Sequence, residues 1–160
     1  MTTQKLTLSH IKEDNKKYNE KQRIELNDQY HTYIYPNFDP TRINKMIKTL
    51  VKDYVEIQSN KGVKTDLGAG DLAYLYTVIE FSDIADMPQT LTAKIKMLEE
   101  VAKSEHIRTI HEAFPKESLK KVEDATNGFA DFISRAANEN ADKINEDILK
   151  KVEELTKEDS

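Results

Sequence analysis

The chain has 160 residues, with 24 Lys and Arg against 29 Asp and Glu for a net charge of −5; it is 38% hydrophobic and 33% charged, and it lacks Cys and Trp. Without cysteine there is no disulfide framework, thiolate metal site or cysteine nucleophile, and four Gly and four Pro are too few for a collagen-like chain or a turn-rich sandwich or barrel. No apolar run approaches the ~18–20 residues of a membrane span, and the first dozen residues lack the apolar core of a secretory signal, so a cytoplasmic protein of one domain is expected.

Residues 1–21 are polar, with Leu6, Leu8, Ile11 and Tyr18 as apolar points. They predict a helical arm, marginal by itself, with Ser9 as its N-cap. The next stretch changes period. Gln22–Leu26 alternates polar and apolar residues, Asn27–Gln29 supplies turn chemistry, and Tyr30–Tyr35 is rich in β-branched and aromatic residues. That pattern predicts a β-hairpin over 22–35. A lone hairpin is barely stable in water, so it must lie on helices or add to another chain's sheet.

Asp39-Pro40-Thr41 is a strong helix start, with Asp39 as N-cap and Pro40 in the first helical position. Ile43, Met46, Ile47, Leu50, Val51, Tyr54 and Ile57 follow as an apolar stripe backed by Lys45, Lys48 and Lys52, the pattern of a helix with one buried face. A polar loop spans 59–70. Asp71–Phe81 is apolar nearly all round, which predicts a helix at the centre of a bundle, capped by Asp71. Thr90 caps the next helix, which carries Leu91, Ile95, Leu98 and Val101, and a short helix spans His106–Phe114 before Pro115. Lys116–Ala137 carries Leu119, Val122, Phe129, Phe132 and Ile133; its Gly128 weakens it by ~1 kcal/mol relative to Ala. Asn138–Asn140 is expected to bend or break the chain. The remainder, within 138–160, is an amphipathic helix with Ile144, Ile148, Val152 and Leu155 on one strip, which needs either this domain or another chain to cover it. The fold expected is mainly α: a single domain over 22–137, a helical bundle of four to six helices with one small β-hairpin, flanked by the arm and the C-terminal helix.

Chemistry is sparse. His106 and His111 are five apart, which on a helix separates them by roughly 140°, and His10 and His31 show no metal-ligand spacing. Glu80, Asp83 and Asp86 recur every three residues but lack the Gly and bidentate Glu of a calcium loop. A metal-dependent enzyme using Glu80 and Asp83 is the weakest reading. Asp66–Asp71 places glycines before a helix without the Lys-Ser/Thr of a phosphate loop, so the glycines are read as permitting a turn. No catalytic, cofactor or metal residue is assigned.

Charge divides along the chain. Residues 1–60 hold ten Lys/Arg against eight Asp/Glu, and residues 61–160 fourteen against twenty-one. Phosphate backbones need clustered cations on one face, so nucleic acid is not expected as a partner, and neither is a membrane. All seven tyrosines lie between positions 18 and 76. Tyrosine joins large area to a polar tip and is enriched at interfaces. Tyr33 and Tyr35, on one face of the second strand, and Ile144, Ile148, Val152 and Leu155 are therefore the candidate partner-binding residues.

The run Tyr33-Ile-Tyr-Pro-Asn-Phe-Asp-Pro-Thr-Arg-Ile, with the later Leu-Ala-Tyr-Leu-Tyr and Phe-Pro-Lys-Glu, is similar to small helical proteins of the structural-gene regions of Gram-positive phages and prophages, tail assembly chaperones first among them. The resemblance covers roughly residues 22–135 and rests on structural motifs. It implies a non-enzymatic role in virion assembly through protein–protein contacts, with tape-measure or tail-tube subunits as partners, no cofactor, and residence in the cytoplasm of a bacterial host; self-association is compatible with it. The alternative is a small regulatory or counter-defence protein that inhibits a host factor through the acidic rear half. Salt separates the two, because screening weakens charge mimicry and leaves apolar docking in place.

Overall fold

The computed structural model describes residues 2–59, 62–137 and 141–158, and their side chains apart from those of 132–145, 147 and 158. In chain order it contains α1 (Leu8–Asp14), a 3-10 turn (Asn15–Asn19), β1 (Gln22–Glu25), β2 (His31–Ile34), α2 (Pro40–Gln58), α3 (Ala69–Glu80), α4 (Leu91–Ala102), α5 (His106–Ala113), α6 (Lys116–Ala137) and α7 (Ala141–Glu158). The mainly α bundle with one hairpin is what forms. Five helices, α2–α6, lie between the hairpin and residue 137, and the arm and C-terminal helices bring the described total to seven. The expected break at Asn138–Asn140 and the side chains of Phe132, Ile133 and Ile144 lie outside the described residues.

The arm is capped by Thr7, two residues before the expected Ser9. The Thr7 hydroxyl accepts from the His10 amide at 3.5 Å, and His10 Nδ1 accepts from the Thr7 amide at 3.2 Å. Histidine in the third helical position closes this reciprocal box. From Ser9 the same position would fall on Lys12, which has no acceptor to offer. Neither α1 nor the turn after it buries a residue.

β1 and β2 pair antiparallel in the register Gln22↔Ile34 to Glu25↔His31. The Asn27 side chain makes the turn, its Oδ1 accepting from the amides of Gln29 and Tyr30 at 2.8 Å each. β2 is also held on its other side. The Tyr35 amide donates to the Phe81 carbonyl at 2.9 Å and the Asp83 amide to the Tyr33 carbonyl at 3.0 Å, with Ile34 bridged to Ser82. The hairpin thus lies on the end of α3, its Thr32 and Ile34 buried and its Tyr33 turned outward.

α2 begins as the sequence predicts. Asp39 Oδ1 accepts from the Thr41 amide and hydroxyl at 2.8 Å each; burial pushes the Asp39 carboxyl up, but the hydrogen bonds from Thr41 outweigh it and hold it below its ordinary value. α3 starts two residues earlier than expected. Gly68 takes the N-cap position and Asp71 works from inside the first turn, its Oδ2 accepting from the Gly68 amide at 2.9 Å. Gly68 has φ −83, which any residue adopts. Among the described residues the glycine with a left-handed backbone is Gly62, in the loop, at φ +92.

α3 is the central element, with Leu72, Leu75, Tyr76, Val78 and Ile79 buried. It packs against α2, α4 and α5, and α2 in turn packs against α6 and α7. Where the hairpin exit, the end of α3 and the end of α5 meet, Phe38 and Phe81 stack at 3.8 Å between ring centres, and Phe114 meets Phe38 edge-on at 5.1 Å. The Ser118 hydroxyl fastens the start of α6 to this junction, donating to the Pro36 carbonyl at 2.6 Å.

His111 on α5 stacks on Tyr74 of α3 at 4.3 Å. Burial pushes its imidazole below the ordinary value of 6.5, with the neighbouring Glu112 pulling the other way. As pH falls through 6.5 the unfolded chain takes up this proton before the folded one does. The stability tied to neutral His111 is therefore complete above that pH and is lost on acidification towards the lower folded value. Urea midpoints should fall between pH 7 and 5.5, and His111→Phe, which keeps the stack, should remove that part of the slope; an unchanged slope would contradict the assignment.

Candidate functional site

Tyr33 and Tyr35 leave the hairpin in different surroundings. Tyr33 is 38% exposed, with the His31 ring edge-on at 5.8 Å. Tyr35 is half-buried, a platform for the Arg42 guanidinium at 4.5 Å and the Lys21 ammonium at 5.4 Å. Arg42 also lies over Phe81 at 5.0 Å and pairs with Glu80 at 2.9 Å, and Lys21 pairs with Asp83 at 2.9 Å. Glu80 and Asp83 are thus engaged with cations of the chain itself. Among the described residues no three His, Asp or Glu side chains converge as a metal would require.

The C-terminal strip packs on its own domain. Ile148 and Val152 are buried in the same core as α2 and α6. Leu155 is half-buried, and the side chain of Ile144 lies outside the described residues. What the strip does present is a groove of about 520 Å³ between α6 and α7, with Ala125, Gly128 and Phe129 on one wall and Ile148, Val152 and Leu155 on the other. The structure brings Ile148, Val152 and Leu155 together there; Tyr33 and Tyr35 are not part of it.

A buried polar cluster escaped the sequence reading. Asp53 of α2 accepts from the Tyr76 hydroxyl and from Lys94 Nζ of α4, the latter at 2.9 Å, and all three residues are buried. Burial, reinforced by the bond to Asp53, pushes the Tyr76 phenol above its ordinary value, so it stays protonated and keeps its donor for Asp53 near neutral pH. The cluster opens on a second groove of about 480 Å³ lined by Lys45, Lys48 and Lys52 of α2 and by Val152 and Thr156 of α7. Lys48 Nζ donates to the Leu155 carbonyl at 3.2 Å, close to the C-terminal end of α7, where a cation suits the helix dipole. A signal for the cluster was present. Asp53 stands three after Leu50 and four before Ile57, and Lys94 stands three after Leu91 and four before Leu98, so each charge interrupts an apolar stripe. The Tyr76 hydroxyl and Lys94 Nζ converge on Asp53 Oδ2, and among the described residues no buried side-chain nitrogen or oxygen lacks a hydrogen-bond partner, so the cluster ties α2, α3 and α4 together.

Among the described residues no helix is long and apolar enough to cross a membrane. The chain matches the YomO family over residues 8–159. It is 34% identical over 156 residues to the SPbeta prophage-derived uncharacterized protein YomO of Bacillus subtilis (strain 168), an alignment covering 97% of this chain and 93% of that protein. No solved structure matches the chain. Family match and near full-length similarity to a prophage product agree with the phage-like segments around the hairpin and α2, and on that footing the chain belongs to the YomO family and is a phage or prophage protein.

Proposed function

We propose that the chain is a non-enzymatic, cytoplasmic protein that acts through protein–protein contacts in virion assembly, in the manner of a tail assembly chaperone. The observation that carries this reading is the outer face of the hairpin. Tyr33, 38% exposed, stands on a ribbon whose β2 is held on both sides. Exposed aromatics on a rigid support are the usual anchors of a protein interface. β1 lies at the edge of the sheet, where an extended segment of a partner can add as a further strand. The ion pairs at Glu80 and Asp83 engage the two acids that the metal-dependent reading would need, which supports the non-enzymatic part of the proposal. Tape-measure and tail-tube subunits are the partners proposed, with neither nucleic acid nor membrane among them.

The test is capture of the tagged chain from induced lysogenic cells, followed by mass spectrometry. Recovery of tape-measure or tail-tube subunits, lost in Tyr33→Ser and kept in high salt, is the expected result. Recovery of a host enzyme, released as salt rises, would replace this reading with inhibition through the acidic surface.

A further inference from the structure

We propose that the free chain forms a two-fold dimer through the edge of β1, with the β1 strands of two copies pairing antiparallel so that the two hairpins become one continuous sheet. The backbone sets the geometry. The Leu26 amide donates to the Tyr30 carbonyl at 2.9 Å, in the same register that pairs Ile24 with Thr32 and Gln22 with Ile34. Hydrogen-bonded pairs alternate along an antiparallel ladder, so the amides and carbonyls of Arg23 and Glu25 point away from β2. Tyr33 agrees. It stands opposite Arg23 and turns its carbonyl to the far side, where the Asp83 amide donates to it at 3.0 Å. Among the described residues no third strand pairs with the outer side of β1.

The side chains identify the occupant. Edge strands are commonly guarded by charge, lysine above all, which sets a second copy against the first. β1 instead carries one cation and one anion on the same face: the side chains of Arg23 and Glu25 are 53% and 66% exposed and pair with each other at 2.8 Å. Two β1 strands running antiparallel about an axis at Ile24 place Arg23 of each copy opposite Glu25 of the other. Registers centred on Arg23 or on Glu25 set like charges face to face at the axis, which is destabilising.

The register that charge favours is also one that the backbone accepts. It joins the outward groups of Arg23 and Glu25 as hydrogen-bonded pairs, each exchanging both of its bonds. Ile24 is half-buried on the opposite face, against the core. It meets Ile24 of the second copy at the axis, where the closely spaced pair without hydrogen bonds falls. Charge, backbone parity and apolar contact thus select the same partner, a second copy of this chain. The inference goes beyond the role proposed above and involves this chain alone; a partner's extended segment would displace the second copy from β1.

The test is sedimentation equilibrium of the purified full chain over about 10–1000 μM, because a strand edge is a small interface and its dimer a weak one. The native mass should approach twice 18.5 kDa. Arg23→Glu and Glu25→Arg, each alone, set like charges opposite one another and should lower the association constant about tenfold or more. Mixed in equal amounts, the two should associate again, since one strand is then acidic at both positions and the other basic. The double variant on a single chain should dimerise as the native chain does. Lost folding would produce neither recovery. Amide exchange reads the backbone: at Arg23 and Glu25 it should be fast in dilute solution and slow as the dimer forms. The proposal is overturned by a native chain that stays at 18.5 kDa throughout, or by a dimer that both single variants leave intact. Single variants that neither mixing nor the double variant restores, or exchange at Arg23 and Glu25 that ignores concentration, would overturn it as well.

Discussion

Asp53→Ala is expected to lower the unfolding free energy by about 3–5 kcal/mol, a drop in melting temperature on the order of 10 °C for a domain of this size. Two donors lose their acceptor at once. Lys94 Nζ and the Tyr76 hydroxyl both point at Asp53, and both residues are buried. An ammonium left without its counter-charge in a dehydrated site costs far more than the hydrogen bonds themselves. Removing all the polarity together should reverse the loss. Asp53→Leu/Lys94→Met/Tyr76→Phe should come within about 1 kcal/mol of the native chain or exceed it, since buried ion pairs are commonly no better than well-packed apolar side chains. Tyr76→Phe alone removes one donor and should cost about 1 kcal/mol. Urea unfolding of the four proteins decides it. If Asp53→Ala costs under about 1 kcal/mol, Lys94 escapes to water through the lysine-lined groove, and the cluster does not fix the approach of the helices.

Phe81→Ala should be of similar size, about 3–5 kcal/mol. Phe81 is fully buried and is at once the stacking partner of Phe38, a surface for the Arg42 guanidinium, and the residue whose carbonyl receives the Tyr35 amide. Truncation empties the junction of three elements, and the cavity term adds to the lost transfer energy. Tyr33→Ala, on the outer face of the same hairpin, should stay within about 0.5 kcal/mol. Parity between these two variants would mean that the hairpin does not lean on the Phe38–Phe81 stack. The contrast also separates stability from binding: Tyr33 variants are suited to interaction assays because they leave the core alone.

Much of this fold could be read from local chemistry. Asp39-Pro40-Thr41 set the start of α2 because a capping carboxylate and a fixed φ act within three residues, and Thr90 set α4 in the same way, its hydroxyl accepting from the Ala93 amide. Alternation around Asn27 marked the hairpin, whose turn the Asn27 side chain then makes. What escaped depends on which elements become neighbours. Asp53 and Lys94 are 41 residues apart, and each alone looks like an interruption in an apolar stripe; only the packing of both α2 and α4 on α3 joins them. The bridge from Ile34 to Ser82 is non-local in the same way. The C-terminal strip shows a third kind of limit. Periodicity marked Ile148 and Val152 as residues in need of cover but said nothing about whose surface would provide it, and the chain's own α2 and α6 do. At the start of the arm the error was a local one: Ser9 and Thr7 are both capping residues, and the choice turned on whether the third residue onward carried an acceptor.

The double attachment of β2 has a consequence for the order of folding and for local opening. Its bonds to Phe81 and Asp83 close a loop of nearly fifty residues, so they can form only after α3 has been laid down and brought back. The hairpin therefore settles late, although its turn is short and its strands are adjacent in sequence. In the native protein this inverts the usual ranking of a surface ribbon. The amides of Tyr35 and Asp83 should exchange with solvent deuterium only in openings that detach the ribbon from α3, while the edge of β1 that faces solvent frays and exchanges on its own. A small strand pair at the periphery thereby becomes an internal gauge of the integrity of the whole domain.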